Sequence, residues 1–117
     1  MRASVLIVDD HADFRHSASA LLEAEGFDVV GEASDGPQAI EAVARLRPDV
    51  VLLDIQLPGV DGISVAGQLA AGPDPPAVVL ISSRDAAAYG ARLEHTPARG
   101  FIHKSALSGD AISALIA

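Results

Sequence analysis

The sequence contains no cysteine and no tryptophan, only three Phe and one Tyr, and a single lysine, Lys104. Without cysteine there is neither a disulfide framework nor a thiolate metal site, which suits a reducing cytoplasm. With so few aromatic rings, the core has to be built from Val, Ile, Leu and Ala, in a chain that is 50% apolar. Long hydrophobic runs are also missing. The first apolar run ends at Val8 and two aspartates follow, so it is neither a signal peptide nor a membrane span. Positive charge is scarce as well. A net charge of −8 argues against direct contact with nucleic-acid phosphates, and no membrane contact is expected. The 117 residues fit one domain over 1–117, long enough to bury roughly 65% of the unfolded surface.

What is present is an alternation of short apolar runs and helical patterns. Val5-Leu6-Ile7-Val8 reads as a buried strand, and Phe14, Ala18, Leu21 and Leu22 then share a helical face closed by Gly26. A second strand is expected over 28–33. Asp35-Gly36-Pro37 opens a helix carrying Ile40, Val43 and Ala44, which Pro48 ends. Val50-Val51-Leu52-Leu53 is apolar throughout, as in a sheet covered on both faces. A loop from Pro58 to Gly62 leads to a helix with Ile63, Ala66, Leu69 and Ala70, broken by Pro73, Pro75 and Pro76. Ala77 to Ile81 is the fourth strand, and residues 85–94 form a weak helix interrupted by Gly90. Gly100 to His103 is the fifth strand, and Leu107, Ala111, Ile112, Leu115 and Ile116 line the last helix. That helix meets the last residue without a stop signal, which suggests a longer parent chain. The pattern predicts an α/β fold, a doubly wound parallel sheet with right-handed crossovers.

In such sheets ligands sit beyond the carboxyl ends of the strands. Asp9-Asp10 follow the first strand, Asp54 the third, Ser82-Ser83 the fourth and Lys104 the fifth. Each has an ordinary explanation: a helix cap for Asp9-Asp10, a turn for Asp54, a strand end for Ser82, a solvated charge for Lys104. Those explanations would have to hold independently at one sheet edge. Three carboxylates there repel one another and call for a cation, and hard oxygen donors suit Mg2+. A metal-held carboxylate beside a hydroxyl and an ammonium group can handle a phosphoryl group, and can itself be the nucleophile. The four histidines, His11, His16, His95 and His103, show no ligand-like spacing and are read as surface or rim residues.

The sequence resembles the receiver domains of two-component response regulators over essentially its whole length. The resemblance rests on Leu6-Ile7-Val8-Asp9-Asp10, on Leu52 to Gly62, on Ile81-Ser82-Ser83 and on Gly100-Phe101-Ile102-His103-Lys104. It implies the flavodoxin-like five-stranded sheet of order 2-1-3-4-5 with five helices. It implies Asp54 as phosphoryl acceptor from a histidine kinase, with Lys104 bridging to the phosphoryl group. Asp10, Asp54 and the Gln56 backbone carbonyl would ligate Mg2+ directly, and Asp9 would act through metal-bound water. Ser82 would swing toward the phosphoryl group and Phe101 would turn inward after it. The only catalysis implied is of the domain's own phosphoryl transfer and dephosphorylation. The segment from Asp9 to Arg15 is similar to NarL/FixJ-type receivers, which implies transcriptional output through a helix-turn-helix domain that these residues do not include. A second copy of the chain, on phosphorylation, is a further implied partner.

Some residues depart from the pattern. Ser105 follows Lys104 where many receivers have proline, which puts the expected cis peptide in doubt. Three other readings stand beside the receiver. A flavodoxin-like cofactor carrier would share the sheet order but needs a first loop rich in Ser, Thr and Gly to hold a phosphate, which Asp9-Asp10-His11-Ala12-Asp13 would repel. A Mg2+-dependent phosphatase of haloacid-dehalogenase type needs Asp-x-Asp on the first strand, where this sequence has adjacent aspartates. A scaffold that has lost phosphorylation would need a missing acceptor-site residue, and none is missing.

Overall fold

In the computed structural model, which describes residues 2–117, apolar alternation divides the buried side chains of the central strands between two cores. The elements in order are β1 Ser4–Val8, α1 Ala12–Ala24, β2 Asp28–Ala33, α2 Gly36–Leu46, β3 Val50–Asp54, α3 Gly62–Ala70, β4 Ala77–Ser82, α4 Ala91–Glu94, β5 Gly100–His103 and α5 Gly109–Ile116. The five strands are parallel and ordered β2-β1-β3-β4-β5. The strand order reverses between β1 and β3, so the loops leaving these two central strands diverge and open a crevice.

Leu6, Val8, Val51, Leu53, Val78 and Leu80 face α2 and α3, where Ala39, Ala42, Val65, Ala66 and Leu69 close the layer. Val5, Ile7, Val50, Leu52, Val79, Ile81 and Ile102 face α1 and α5, against Ala18, Leu22 and Ile112. Period-two alternation with both faces covered explains why these strands are apolar at every position. Burial of each large side chain contributes roughly 1.5–3 kcal/mol relative to exposure.

Several details differ from the sequence reading. In α3, Val65 joins Ala66 and Leu69 in the core, whereas Ala70 is exposed. In α2 the face against the sheet is Ala39 and Ala42, flanked by Val43 and Leu46, whereas Ile40 and Ala44 are exposed. Small alanines let the helix approach the strands closely, which turns Ile40 outward. The weak helix over 85–94 is two pieces, a 3₁₀ turn at Ala86–Ala88 and the single turn α4. Gly90 separates them at φ +54°, ψ −133°, a conformation open to glycine but strained for side-chain-bearing residues. Leu107 precedes α5 instead of lining it, but still packs against the core. The Lys104–Ser105 peptide is trans.

Candidate functional site

Register brings the polar strand ends together. Val8 pairs with Leu53, Asp54 with Ile81, and Ser82 with His103, so the residues that follow β1, end β3 and β4, and follow β5 share one edge. Among the described residues, Asp9, Asp54 and Ser82 are the buried polar side chains. Polar groups become buried at a cost unless partnered, so their partners define the site.

Lys104 is the main partner. Its Nζ lies 2.5 Å from Asp9 Oδ2 and 3.3 Å from Asp54 Oδ2. The same ammonium stands 4.4 Å from the centre of the Phe14 ring on α1, a cation–π contact that walls one side of it. Asp9 Oδ2 has Lys104 as its one close partner, in an ion pair. Asp9 Oδ1 accepts from the His11 backbone N–H at 2.8 Å and from His11 Nδ1 at 3.0 Å. Arg15 donates to the Asp9 carbonyl at 2.6 Å while holding Glu32, which fixes the backbone where β1 ends. Asp54 Oδ1 accepts from the Gln56 N–H at 3.0 Å.

These surroundings separate the carboxyls electrostatically. Burial pushes Asp54 up to about 6, reinforced by the Asp9 charge and only partly offset by Gln56 and Lys104. Burial acts on Asp9 in the same direction, but Lys104 and His11 outweigh it and hold Asp9 below the usual carboxylate range. Burial would lower Lys104, yet its two carboxylate partners raise it, so the ammonium stays charged.

Ligand atoms of Asp9, Asp10, His11 and Asp54 all lie within 4.8 Å of one another. Asp10 is the accessible carboxylate of the set, whereas Asp9 is committed to Lys104. Three convergent carboxylates, two of them buried, are hard oxygen donors that fit a small divalent cation such as Mg2+.

Ser82 Oγ points to different partners, the Tyr89 hydroxyl at 2.6 Å and the Arg84 N–H at 3.0 Å. Phe101 is half-buried beside Tyr89, with ring centres 6.3 Å apart. Sequence reasoning places His11 only as a surface or rim residue and does not assign Phe14 or Tyr89 to this edge. His11 bridges Asp9 and Asp10, and its position directly after the aspartate pair was the available signal. Phe14 reads from sequence as one more apolar helix residue, and Tyr89 lies in a segment with no periodicity. A groove of about 680 Å³ lies at the opposite edge, at the amino ends of β3 and β4. Its lining mixes Ile40, Val43, Leu69 and prolines with Arg47, Asp49 and Asp74, and it contains none of the strand-end residues Asp9, Asp54, Ser82 and Lys104.

The sequence matches the response regulator receiver domain over residues 5–116. The chain belongs to the response regulator receiver family. A receiver domain described as that of response regulator NarL from Mycobacterium tuberculosis is 34% identical, with a TM-score of 0.87 over 98% of this chain and 96% of that one. A LuxR-family two-component response regulator from Aurantimonas reaches a TM-score of 0.90 at 28% identity, over 99% of this chain and 86% of that one. The DNA-binding response regulator MtrA of Mycobacterium tuberculosis is 46% identical over 87 residues, 73% of this receiver but 37% of MtrA. This receiver thus spans less than half the length of such curated relatives. Relatives differ in what accompanies the receiver: one, from Myxococcus xanthus, is a protein-glutamate methylesterase/protein-glutamine glutaminase, 49% identical over 80 residues, 68% of this receiver and 23% of that protein. The family match sets aside the haloacid-dehalogenase reading, which also lacked its Asp-x-Asp. Among the described residues, no helix is long and apolar enough to cross a membrane.

Proposed function

We propose that this receiver accepts a phosphoryl group on Asp54 from the phosphohistidine of a histidine kinase. The observation that carries the reading is the setting of Asp54: buried at the carboxyl end of a central strand, beside a second buried carboxylate and 3.3 Å from the only lysine. An Asp54 carboxylate oxygen attacks phosphorus, the phosphorus–nitrogen bond breaks, and the imidazole nitrogen keeps the electron pair. Lys104 is already positioned to neutralise charge gained at Asp54. Asp10, Asp54 and the Gln56 carbonyl would hold Mg2+ directly, and Asp9 would act through metal-bound water. The division between an accessible Asp10 and a lysine-bound Asp9 supports that assignment. Bound Mg2+ would supply neutralising charge to the phosphoryl oxygens. Ser82 would donate its proton to one of those oxygens, and Phe101 would turn inward, biasing an existing two-state equilibrium.

The DNA-binding relatives support an output on transcription, delivered through a helix-turn-helix domain beyond these residues and strengthened by pairing of two receivers. The setting would be the cytoplasm, in keeping with the absence of cysteine. Labelling with radioactive acetyl phosphate, with and without Mg2+, tests the reading on the wild type and Asp54→Asn. Label on the wild type only with Mg2+, and none on the variant, is the expected result. Equal labelling of Asp54→Asn would overturn it, and no labelling of either would favour a scaffold that has lost phosphorylation.

A further inference from the structure

Ser82 is fully buried, and a serine hydroxyl has one proton to give. Its Oγ already accepts the Arg84 N–H at 3.0 Å. The other polar atom bonded to it is the Tyr89 hydroxyl, at 2.6 Å. Among the described residues no other acceptor bonds that proton, so the arrangement that satisfies Ser82 sends it to the Tyr89 oxygen. Tyr89 is half-buried and can give its own proton to water. The ring is held in place by Phe101, with centres 6.3 Å apart and planes at 52°, and by the same core layer that contains Leu80 and Leu53.

We propose that Tyr89 is a positioning residue for the acceptor site, holding the Ser82 proton until a phosphoryl oxygen on Asp54 replaces the phenol as its acceptor. The inference rests on the role given to Ser82 above. No covalent bond changes in this step: the Ser82 O–H leaves a neutral phenol oxygen for an anionic phosphoryl oxygen. Charge-assisted hydrogen bonds are the stronger kind, so the exchange runs forward once the phosphoryl group is present and not before. The latch also has a consequence for the surface. The segment after β4 is fastened at three points: Ser82 to Tyr89, the Ser83 carbonyl to His103 Nε2 at 2.9 Å, and Arg92 to Asp61 at 2.6 Å. Loading the site releases the first of these, and with it the Tyr89 end of the segment that leads into α4.

Tyr89→Phe removes the oxygen and keeps the ring against Phe101. The probe is beryllofluoride with Mg2+, a phosphoryl mimic, titrated by calorimetry. Loss of one hydrogen bond from the unloaded state should tighten beryllofluoride roughly three- to tenfold, with affinity for Mg2+ alone unchanged. In a Ser82→Ala background the same Tyr89→Phe change should have no effect, because there is no proton to compete for. A second readout uses the protein's single tyrosine. With 13C-labelled tyrosine, its ring resonances should move on beryllofluoride saturation toward those of unloaded Ser82→Ala. Unchanged or weaker beryllofluoride binding by Tyr89→Phe, an equal gain in the Ser82→Ala background, or static tyrosine resonances would each overturn the latch. If the wild type takes no beryllofluoride at all, the acceptor reading itself fails and the latch goes with it. Binding that ignores Tyr89 removes the latch alone.

Discussion

Lys104 Nζ stands 2.5 Å from Asp9 Oδ2, and this pair is what allows two carboxylates to be buried side by side. Removing the ammonium would leave Asp9 and Asp54 facing each other without a counter-charge. Lys104→Met is therefore expected to destabilise the fold by about 3–5 kcal/mol near neutral pH, as for other broken buried pairs. Urea unfolding measures it. Mg2+ should restore part of the loss, since it supplies the missing positive charge at the same carboxylates. A loss under 1 kcal/mol would mean that water, not Lys104, solvates Asp9.

Asp54 gives the stability curve a slope of known sign. Its carboxyl titrates at about 6 when folded and near 3.8 when not. Between those values the folded chain holds the proton that the unfolded chain has lost, so stability falls as pH rises from 3.8 toward about 6. Above that window the cost of the buried charge is fully present. Asp54→Asn removes that cost and is expected to be more stable than the wild type at pH 7.5 by on the order of 2 kcal/mol. The advantage should shrink as pH falls through the same window. Denaturant titrations of both proteins at several pH values check this, and an advantage independent of pH would contradict it.

The cation site predicts a specific loss. At tenfold excess over its dissociation constant, Mg2+ should stabilise the domain by about 1.4 kcal/mol. For this size that is a rise of roughly 5 °C in Tm, reversed by a chelator. Asp10→Asn should abolish most of the rise while leaving the metal-free Tm nearly unchanged, because Asp10 is accessible and bonds mainly to His11. An undiminished Mg2+ effect in Asp10→Asn would exclude Asp10 as a ligand.

Gly62 carries a steric prediction. A Cβ there would lie 2.1 Å from the Asp54 carbonyl oxygen, and the Gly62 N–H donates to the Ile55 carbonyl at 2.7 Å. The start of α3 is thus pressed onto the strand end that presents the acceptor. Gly62→Ala should cost about 1–3 kcal/mol through the backbone shift it forces, and lower the phosphorylation rate with it. A fully stable, fully active variant would show that this contact yields freely.

Much of this was legible in the residues, for identifiable reasons. Strands buried on both faces have to be apolar throughout, so Val5 to Val8 and Val50 to Leu53 announce themselves. The first polar residue after each run then marks the candidate edge, which is how the sequence alone brings Asp9, Asp54, Ser82 and Lys104 together. Helix orientation was less legible. Ile40 reads as core, yet Ala39 and Ala42 face the sheet because closeness of approach, which a residue pattern does not encode, favours the smaller side chains. The segment from Asp85 to Glu94 was blurred because alanines fit a helix or a 3₁₀ turn equally, and only Gly90's positive φ divides them. Tyr89 was invisible for the same reason: its partner lies seven residues back, across a turn whose path local propensity does not determine.

The central claim, that Asp54 is the atom-level acceptor, is tested most directly by trapping the acyl phosphate. After incubation with acetyl phosphate and Mg2+, borohydride reduction converts a phosphorylated aspartate to homoserine, which peptide mass spectrometry locates. Homoserine is expected at position 54 alone, dependent on Mg2+ and absent without the phosphodonor. Homoserine at position 9 or 10, or none at 54 despite incorporated phosphate, would contradict it.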